Sequence, residues 1–195
     1  NDEIVIVDDA SSDNTIRMLD GYQDARIKII RNSENIGSNA SFQKALSHAS
    51  GDFIFLADQD DVWYPHKVET ALEHLQTHDL DLLVHDARVI DVVKKSTISE
   101  SLFERYRSSP GLVRNLISSR HTGCCMLMRR ETLDKMLPIP LKRGIQHDAW
   151  IGTLSGIYRL KKEFLAIPLI DYNRHEHNES PLIRKQSLYH VFVNR

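Results

Sequence analysis

Short apolar runs alternate with amphipathic stretches through the first half of the chain. Residues Ile4 to Val7 are all apolar and β-branched and stop at Asp8 and Asp9, the pattern of a strand buried on both faces. Ser11, Ser12, Asp13 and Asn14 supply turn and cap chemistry, after which Ile16 and Leu19 fall at helical spacing until Gly21. A second strand is expected over Arg26 to Ile30. Beyond Asn35 and Gly37, the set Phe42, Ala45, Leu46 and Ala49 lies at i, i+3, i+4 and i+7 and predicts a helix with one buried face. Phe53 to Ala57 reads as a third strand. Pro65 suits the opening of a further helix with Val68, Leu72 and Leu75 inward, and Leu80 to Val84 reads as a fourth strand. The resulting β-α-β-α-β-α-β order predicts an α/β, Rossmann-like fold with a mostly parallel sheet flanked by helices, and ligands bind such sheets at the carboxyl ends of their strands.

The second half is less regular. Residues Asp91 to Ser109 lack a period and predict an insertion or mobile loop, with a short helix opened by Pro110 and carried by Leu112, Leu116 and Ile117. Gly123 to Met128 reads as a strand, Glu131 to Met136 as a brief helix and Pro138 to Gly144 as a loop. Ala149, Trp150, Ile151 and Leu154 mark another helix with His147 and Asp148 at its start. Phe164 to Ile170 reads as the closing strand, before the polar segment Tyr172 to Asn178. No stretch rich in Gly, Ser or Pro separates domains, so a single domain is expected over residues 1–195.

Charge changes the picture by exclusion. The chain carries 25 basic and 27 acidic side chains, a formal charge of −2, and lacks the basic face that holds proteins to nucleic acid, so no nucleic-acid partner is expected. No apolar run approaches the roughly 20 residues that span a bilayer, the longest being Phe53 to Ala57 and Cys124 to Met128. There is no basic-then-apolar leader, and Cys124 and Cys125 are neighbours, a poor arrangement for a structural disulfide. A soluble protein of the cytoplasm is the expectation.

Candidate chemistry collects at the strand ends. Asp58-Gln59-Asp60-Asp61 follows the third strand, and its carboxylates can offer oxygen to a hard divalent cation, Mg2+ or Mn2+. The competing explanation is a solvated turn with Asp61 capping the next helix. Asp8-Asp9 is either a second acidic group at the same sheet edge or a turn feeding a cap. Asp148 at a helix start is ordinarily an N-cap or dipole partner. His74 and His78 stand at i, i+4 without a third metal ligand nearby in sequence and read as exposed helix histidines. His175 and His177 lie among ligand-type residues and are candidates for phosphate or metal contact. Cys124 and Cys125 read as packing residues.

Three stretches, Glu3 to Thr15, Asn32 to Gly37 and Phe53 to Pro65, in this order and spacing, resemble the large inverting glycosyltransferase family of GT-A fold. Thr122 to Arg129, Gln146 to Trp150 and Tyr172 to His175 extend the likeness, and the last two are most similar to bacterial rhamnosyltransferase-like members that build surface polysaccharide. The resemblance implies that Asp9 contacts the base or ribose of a nucleotide-sugar donor, a UDP- or dTDP-sugar, with Asp8 beside it. It implies that Asp58 and Asp60 form the family's D-x-D, Asp60 most directly holding Mg2+ or Mn2+ at the donor diphosphate, and that Asp148 is the general base. Trp150 stands close enough in sequence to form an apolar wall beside that base. Arg174 and His175 are implied at the diphosphate, although the family often has Arg directly after Tyr where this chain has Asn173. The division implied is a nucleotide-binding part over about residues 1–90 and an acceptor part over about 91–195. The acceptor implied is a saccharide or lipid-linked hydroxyl, with peripheral contact at the inner face of a membrane in keeping with it.

The family opens with a further strand and helix that this sequence lacks, so an amino-terminally truncated GT-A domain is the expectation. Two other classes fit parts of the pattern. Asp8-Asp9 with Asp58 also suits a phosphoacceptor receiver domain, though residues beyond its usual size, Asp148 among them, then have no role. A haloacid-dehalogenase-like phosphatase wants D-x-D followed by Thr or Val, where this chain has Asp61. A non-catalytic sugar-nucleotide-binding remnant is the third alternative.

Overall fold

The computed structural model describes residues 2–106, 122–141 and 145–175. In chain order the elements are β1 (Ile4–Asp8), α1 (Thr15–Leu19), β2 (Ile27–Arg31), α2 (Ser38–His48), β3 (Phe53–Phe55), β4 (Val62–Trp63), α3 (Lys67–Thr77), β5 (Leu82–Asp91), β6 (Ser96–Ser99) and α4 (Leu102–Tyr106). A single 3-10 turn (Gly123–Cys125), β7 (Met126–Arg129), α5 (Arg130–Asp134), α6 (His147–Ile157) and β8 (Lys162–Arg174) follow.

The α/β architecture with helices around a sheet holds, but the sheet is mixed rather than mostly parallel. β1 and β2 pair in parallel from Ile4↔Ile27 to Asp8↔Arg31 and form a two-stranded sheet. A six-stranded sheet has the order β3-β7-β5-β8-β4, with β6 on β5. Within it only β5 and β8 run parallel; β3–β7, β5–β7, β4–β8 and β5–β6 are antiparallel. The reason is that buried strands read alike in either direction. A β-α-β order gives a parallel ladder only where the consecutive strands are also neighbours, as β1 and β2 are. Between β3 and β5 the later strand β7 is inserted, running against both.

Alternation along the central strands separates two cores. Leu82 and Val84 of β5, with Met126 and Met128 of β7, face α2, α5 and α6 and meet Leu46, Leu133 and Ile151. Leu83 and Leu127, one residue out of phase, face α3 and meet Ala71 and Leu75. Each such fully buried leucine contributes about 1.5–3 kcal/mol by leaving water.

Other boundaries shift as well. The residues from Asp91 onward, expected to be an irregular insertion, contain instead the β5–β6 hairpin and α4. Asp86 closes this unit: its carboxylate accepts from Ser101 Oγ and from Phe103 N, and so ties α4 back to β5. The helix expected after Pro110 lies outside the described residues. The strand expected from Gly123 begins only at Met126, and the closing strand runs on to Arg174, taking in Tyr172 and Asn173. In α3 the buried positions are Lys67, Ala71 and Leu75, whereas Val68 is 39% exposed. No helix among the described residues is long and apolar enough to cross a membrane.

Candidate active site

The acidic turn Asp58 to Asp61 joins β3 to β4, and the end of β8 holds it in place. Asn173 donates from its backbone N to Asp61 Oδ1 (3.1 Å) and from Nδ2 to Asp60 O (2.6 Å). His175 Nε2 donates to Asp60 Oδ2 at 3.0 Å. Asp60 and His175, read from sequence as metal ligands 115 positions apart, are therefore direct partners. Carboxylate oxygens of Asp58 and Asp61 lie within 4.8 Å of each other and of Cys124 Sγ.

Asp61 does not cap α3. It is half-buried in the turn, and burial pushes its carboxyl up to about 6, against hydrogen bonds from the Cys124 thiol and Asn173 N. Beneath it, Lys67 is fully buried; its Nζ donates to Cys124 O at 2.9 Å and lies 3.6 Å from the Trp63 ring centre. Loss of hydration brings the Lys67 ammonium down to about 8, with the cysteines, Asp61 and Asp58 acting the other way. A buried ammonium under several carboxylates offsets part of the repulsion that would otherwise force them apart. Cys124 and Cys125 are buried and free, as packing residues should be. A hydrogen bond with Cys125 and then burial push the Cys124 thiol up. The carboxylates are therefore the donors suited to a hard cation.

The β1 end has a different arrangement. Asp9 accepts from Ile36 N (2.8 Å), Gly37 N (2.8 Å) and Asn32 Nδ2 (2.9 Å). Burial acts to raise its pKa, but these hydrogen bonds outweigh it and hold the carboxyl below its usual range. Asp9 thus fixes the loop entering α2, where Gly37 adopts φ 88°, a conformation glycine reaches without a Cβ penalty. Asp8 is the more deeply buried of the pair. Its Oδ2 accepts from Ser11 N at 3.2 Å, and its buried Oδ1 has no hydrogen-bond partner.

Asp148 sits in the first turn of α6 and is buried. The N-cap position belongs to Gln146, so Asp148 is not the cap. Two contacts place it. A Cβ at Gly123 would stand 3.6 Å from Asp148 Cβ and 2.7 Å from His147 Nε2, so the absence of a side chain at Gly123 is what lets α6 approach. The next residue, Cys124, is the one that reaches Asp58 and Asp61. Consecutive Cα atoms are about 3.8 Å apart, so Asp148 and the acidic turn flank one short step of chain. From the other side, Asn39 of α2 accepts from His147 N (2.9 Å) and donates to Ile145 O, and Phe42 stacks on His147 with ring centres 3.8 Å apart. The loop that Asp9 organises therefore leads straight to the start of α6.

Trp150, offered by the sequence as an apolar wall, donates its indole N–H to Met136 O just beyond α5. Arg174 is buried, with Nη1 donating to Tyr172 Oη at 3.2 Å, next to the His175 that meets Asp60. His74 and His78 lie on α3, away from this cluster, and His177 lies outside the described residues. Sequence reading missed Lys67, Asn39, Asn173 and Gly123. The helical period had offered Val68 as the buried residue, and no local pattern marks the other three.

The structure thus defines an α/β protein in which the β3–β4 turn, the end of β8 and the start of α6 meet around Gly123–Cys124, with the loop after β1 tied to α6 through α2. The chain belongs to glycosyl transferase family 2, whose model matches residues 1–137. It is 33% identical over 158 residues to an uncharacterised glycosyltransferase of Nostoc sp., covering 76% of this chain and 48% of that protein. It is 25% identical over 156 residues to the Escherichia coli UDP-Glc:alpha-D-GlcNAc-diphosphoundecaprenol beta-1,3-glucosyltransferase WfgD, covering 80% and 59%. The chain spans about half the length of these curated relatives. Its fold is similar to that of Staphylococcus aureus TarS, residues 1–349, solved in complex with UDP-GlcNAc, with a TM-score of 0.70 and 19% identity over 90% of this chain and 50% of that one. The fold is accordingly the GT-A type, and the receiver and phosphatase readings of Asp58 are set aside.

Proposed function

We propose that the chain carries the donor site and general base of an inverting glycosyltransferase that moves a sugar from a UDP- or dTDP-sugar to a hydroxyl of a saccharide or lipid-linked acceptor. The observation that carries this reading is the packing of Asp148 against Gly123 while Cys124 touches the Asp58–Asp61 turn. A base and a diphosphate-binding turn within one cleft are what transfer to a hydroxyl requires. WfgD uses a UDP-hexose by name and TarS was solved with UDP-GlcNAc, which favours uridine over thymidine in the donor.

Asp60, with His175 beside it, would hold Mg2+ or Mn2+ together with Asp58, whose carboxylate instead lies within 4.8 Å of Asp61 and Cys124; the carboxylate oxygens of the turn suit such an ion. Bound there, the ion would offset charge on the diphosphate. Asp8, with an unpartnered buried oxygen, is better placed than Asp9 to receive a donor hydroxyl or N–H; Asp9 shapes the pocket wall by ordering residues 32–37. Arg174, next to His175 in sequence, is proposed to contribute positive charge toward the diphosphate. Asp148 takes the proton of the acceptor hydroxyl as the oxygen attacks the anomeric carbon. The bond from that carbon to the diphosphate oxygen breaks, the nucleoside diphosphate leaves with the electron pair, and attack from the opposite face inverts the configuration.

The acceptor in WfgD's name is an alpha-D-GlcNAc carried on diphosphoundecaprenol, so surface polysaccharide synthesis on a lipid carrier at the inner face of a membrane is the setting proposed for the whole protein. The test is Asp148→Asn in the full-length protein. Turnover should fall by about 10²–10⁴-fold while UDP-sugar affinity stays within a factor of about two; undiminished turnover would remove Asp148 from the base role.

A further inference from the structure

At the end of α3 opposite the acidic turn, the fold assembles a cluster that the proposed transfer does not use. His74 and His78 share a face of α3 at i, i+4, and β8 brings Glu163 to them from 85 residues further along the chain than His78. One ligand-type atom from each of the three lies within 4.8 Å of the other two. His74 Nε2 donates to Glu163 Oε1 at 3.0 Å, and the two imidazoles stack with centres 4.2 Å apart, so an ion bound between them displaces the His74 Nε2 proton and turns the rings out of the stack. His78 Nδ1 is 3.0 Å from His74 O. A carbonyl can only accept, so Nδ1 carries the proton and Nε2 is left as the lone-pair nitrogen of His78. A backbone carbonyl bonded to one ring nitrogen is the arrangement that orients a histidine for metal binding through the other.

We propose that His74, His78 and Glu163 form a binding site for a single borderline transition-metal dication, Zn2+ above all, separate from the Mg2+ or Mn2+ site of the acidic turn. Two imidazoles and one carboxylate make the donor set that Zn2+ takes in three-ligand sites, completed by water, whereas Mg2+ prefers oxygen alone. The neighbouring cation on β8 does not intrude. Lys162 points to the opposite face of the sheet, where Nζ donates to Ser155 Oγ of α6. Glu163 and His74 are partly exposed, at 41% and 21% of their side chains, so an ion can enter from solvent.

The site has a mechanical consequence. α3 begins just after the acidic turn, with Lys67 beneath it, and β8 ends in the residues that clamp that turn. A metal joining the last turn of α3 to the first residues of β8 fastens the same two elements at their far ends. It would therefore act as a clip on stability, not as part of the transfer chemistry.

The test is titration of the metal-free 195-residue chain with ZnCl2 by calorimetry, with thermal unfolding followed in parallel. Zn2+ should bind at micromolar concentration, one equivalent of it through this site, and raise the unfolding temperature, reversibly on adding EDTA. His74→Gln and His78→Gln should each weaken binding by at least about 10-fold and abolish the thermal shift, while Asp60→Asn leaves both intact. Each variant's unfolding temperature in EDTA, compared with that of the parent chain, separates loss of the ligand from loss of the fold. Zn2+ binding lost in Asp60→Asn but kept in both histidine variants, or no binding below 100-fold excess metal, would overturn the proposal.

Discussion

Gly123 shows how much of the site rests on a side chain that is absent. The nearest obstacle to a Cβ there is the ring of His147 at 2.7 Å, and that ring is itself stacked on Phe42 and cannot swing aside freely. Gly123→Ala should therefore push the start of α6, with Asp148, away from the acidic turn. The expected cost is about 1–3 kcal/mol in urea unfolding, as for other overpacked sites, together with a fall in turnover beyond what the lost stability explains. Unchanged stability and turnover would show that α6 does not depend on this close approach. Nothing in the local sequence announces the constraint, because Gly123 is flanked by Thr122 and Cys124 in what reads as an ordinary strand. The acids themselves were legible. Asp58 and Asp60 stand out as carboxylates crowded at the end of a buried strand, whereas Asp148, at a helix start where a cap is the ordinary reading, was marked only by the family resemblance. Lys67 was not, since a lysine buried under a tryptophan ring is recognised only once Trp63 and Cys124 are seen on either side of it.

Among the elements, the strands and helices of the first half were readable because each buries one face at a fixed period. Which strands lie side by side was not readable, since no sequence pattern marks β7 as the strand between β3 and β5. Strand β5 also carries a consequence for pH. His85 is fully buried in its middle, and loss of hydration, then the Lys67 charge, bring its pKa down to about 3 from an ordinary 6.5. Between those values the unfolded chain binds the proton and the folded chain does not. Stability must therefore rise with pH through this window and fall as the solution is acidified below about 6.5. Asp61, raised to about 6, acts in the opposite sense between its ordinary 3.8 and 6, so the comparison needs a variant. His85→Gln should flatten the acid side of the stability profile between pH 6 and 4 relative to the parent chain, by at most about 1.4 kcal/mol per pH unit. An unaltered slope, read from denaturant unfolding at several pH values, would mean that His85 is protonated in the fold.

At the scale of the whole molecule, three stretches far apart in the chain are drawn together by contacts that no single stretch encodes. Asp9 orders the loop into α2, α2 grips His147 through Asn39, and the turn at Gly123–Cys125 joins α6 to the acidic loop. β8 then closes the cluster by setting Asn173 and His175 against Asp60 and Asp61. The resemblance of motifs could place these residues in one family pattern, but only the packing supplies a physical reason for their meeting. If Asp60 holds the donor's metal, a nucleoside diphosphate must bind at the acidic turn through that ion. Calorimetric titration of UDP into the full-length protein, with Mn2+ and again in EDTA, tests it most directly. Binding should appear with Mn2+, be lost in EDTA, and weaken by at least about 10-fold in Asp60→Asn, the scale of one charge-assisted contact. Affinity for UDP that is the same with and without metal and unaffected by Asp60→Asn, or no binding at all, would contradict it.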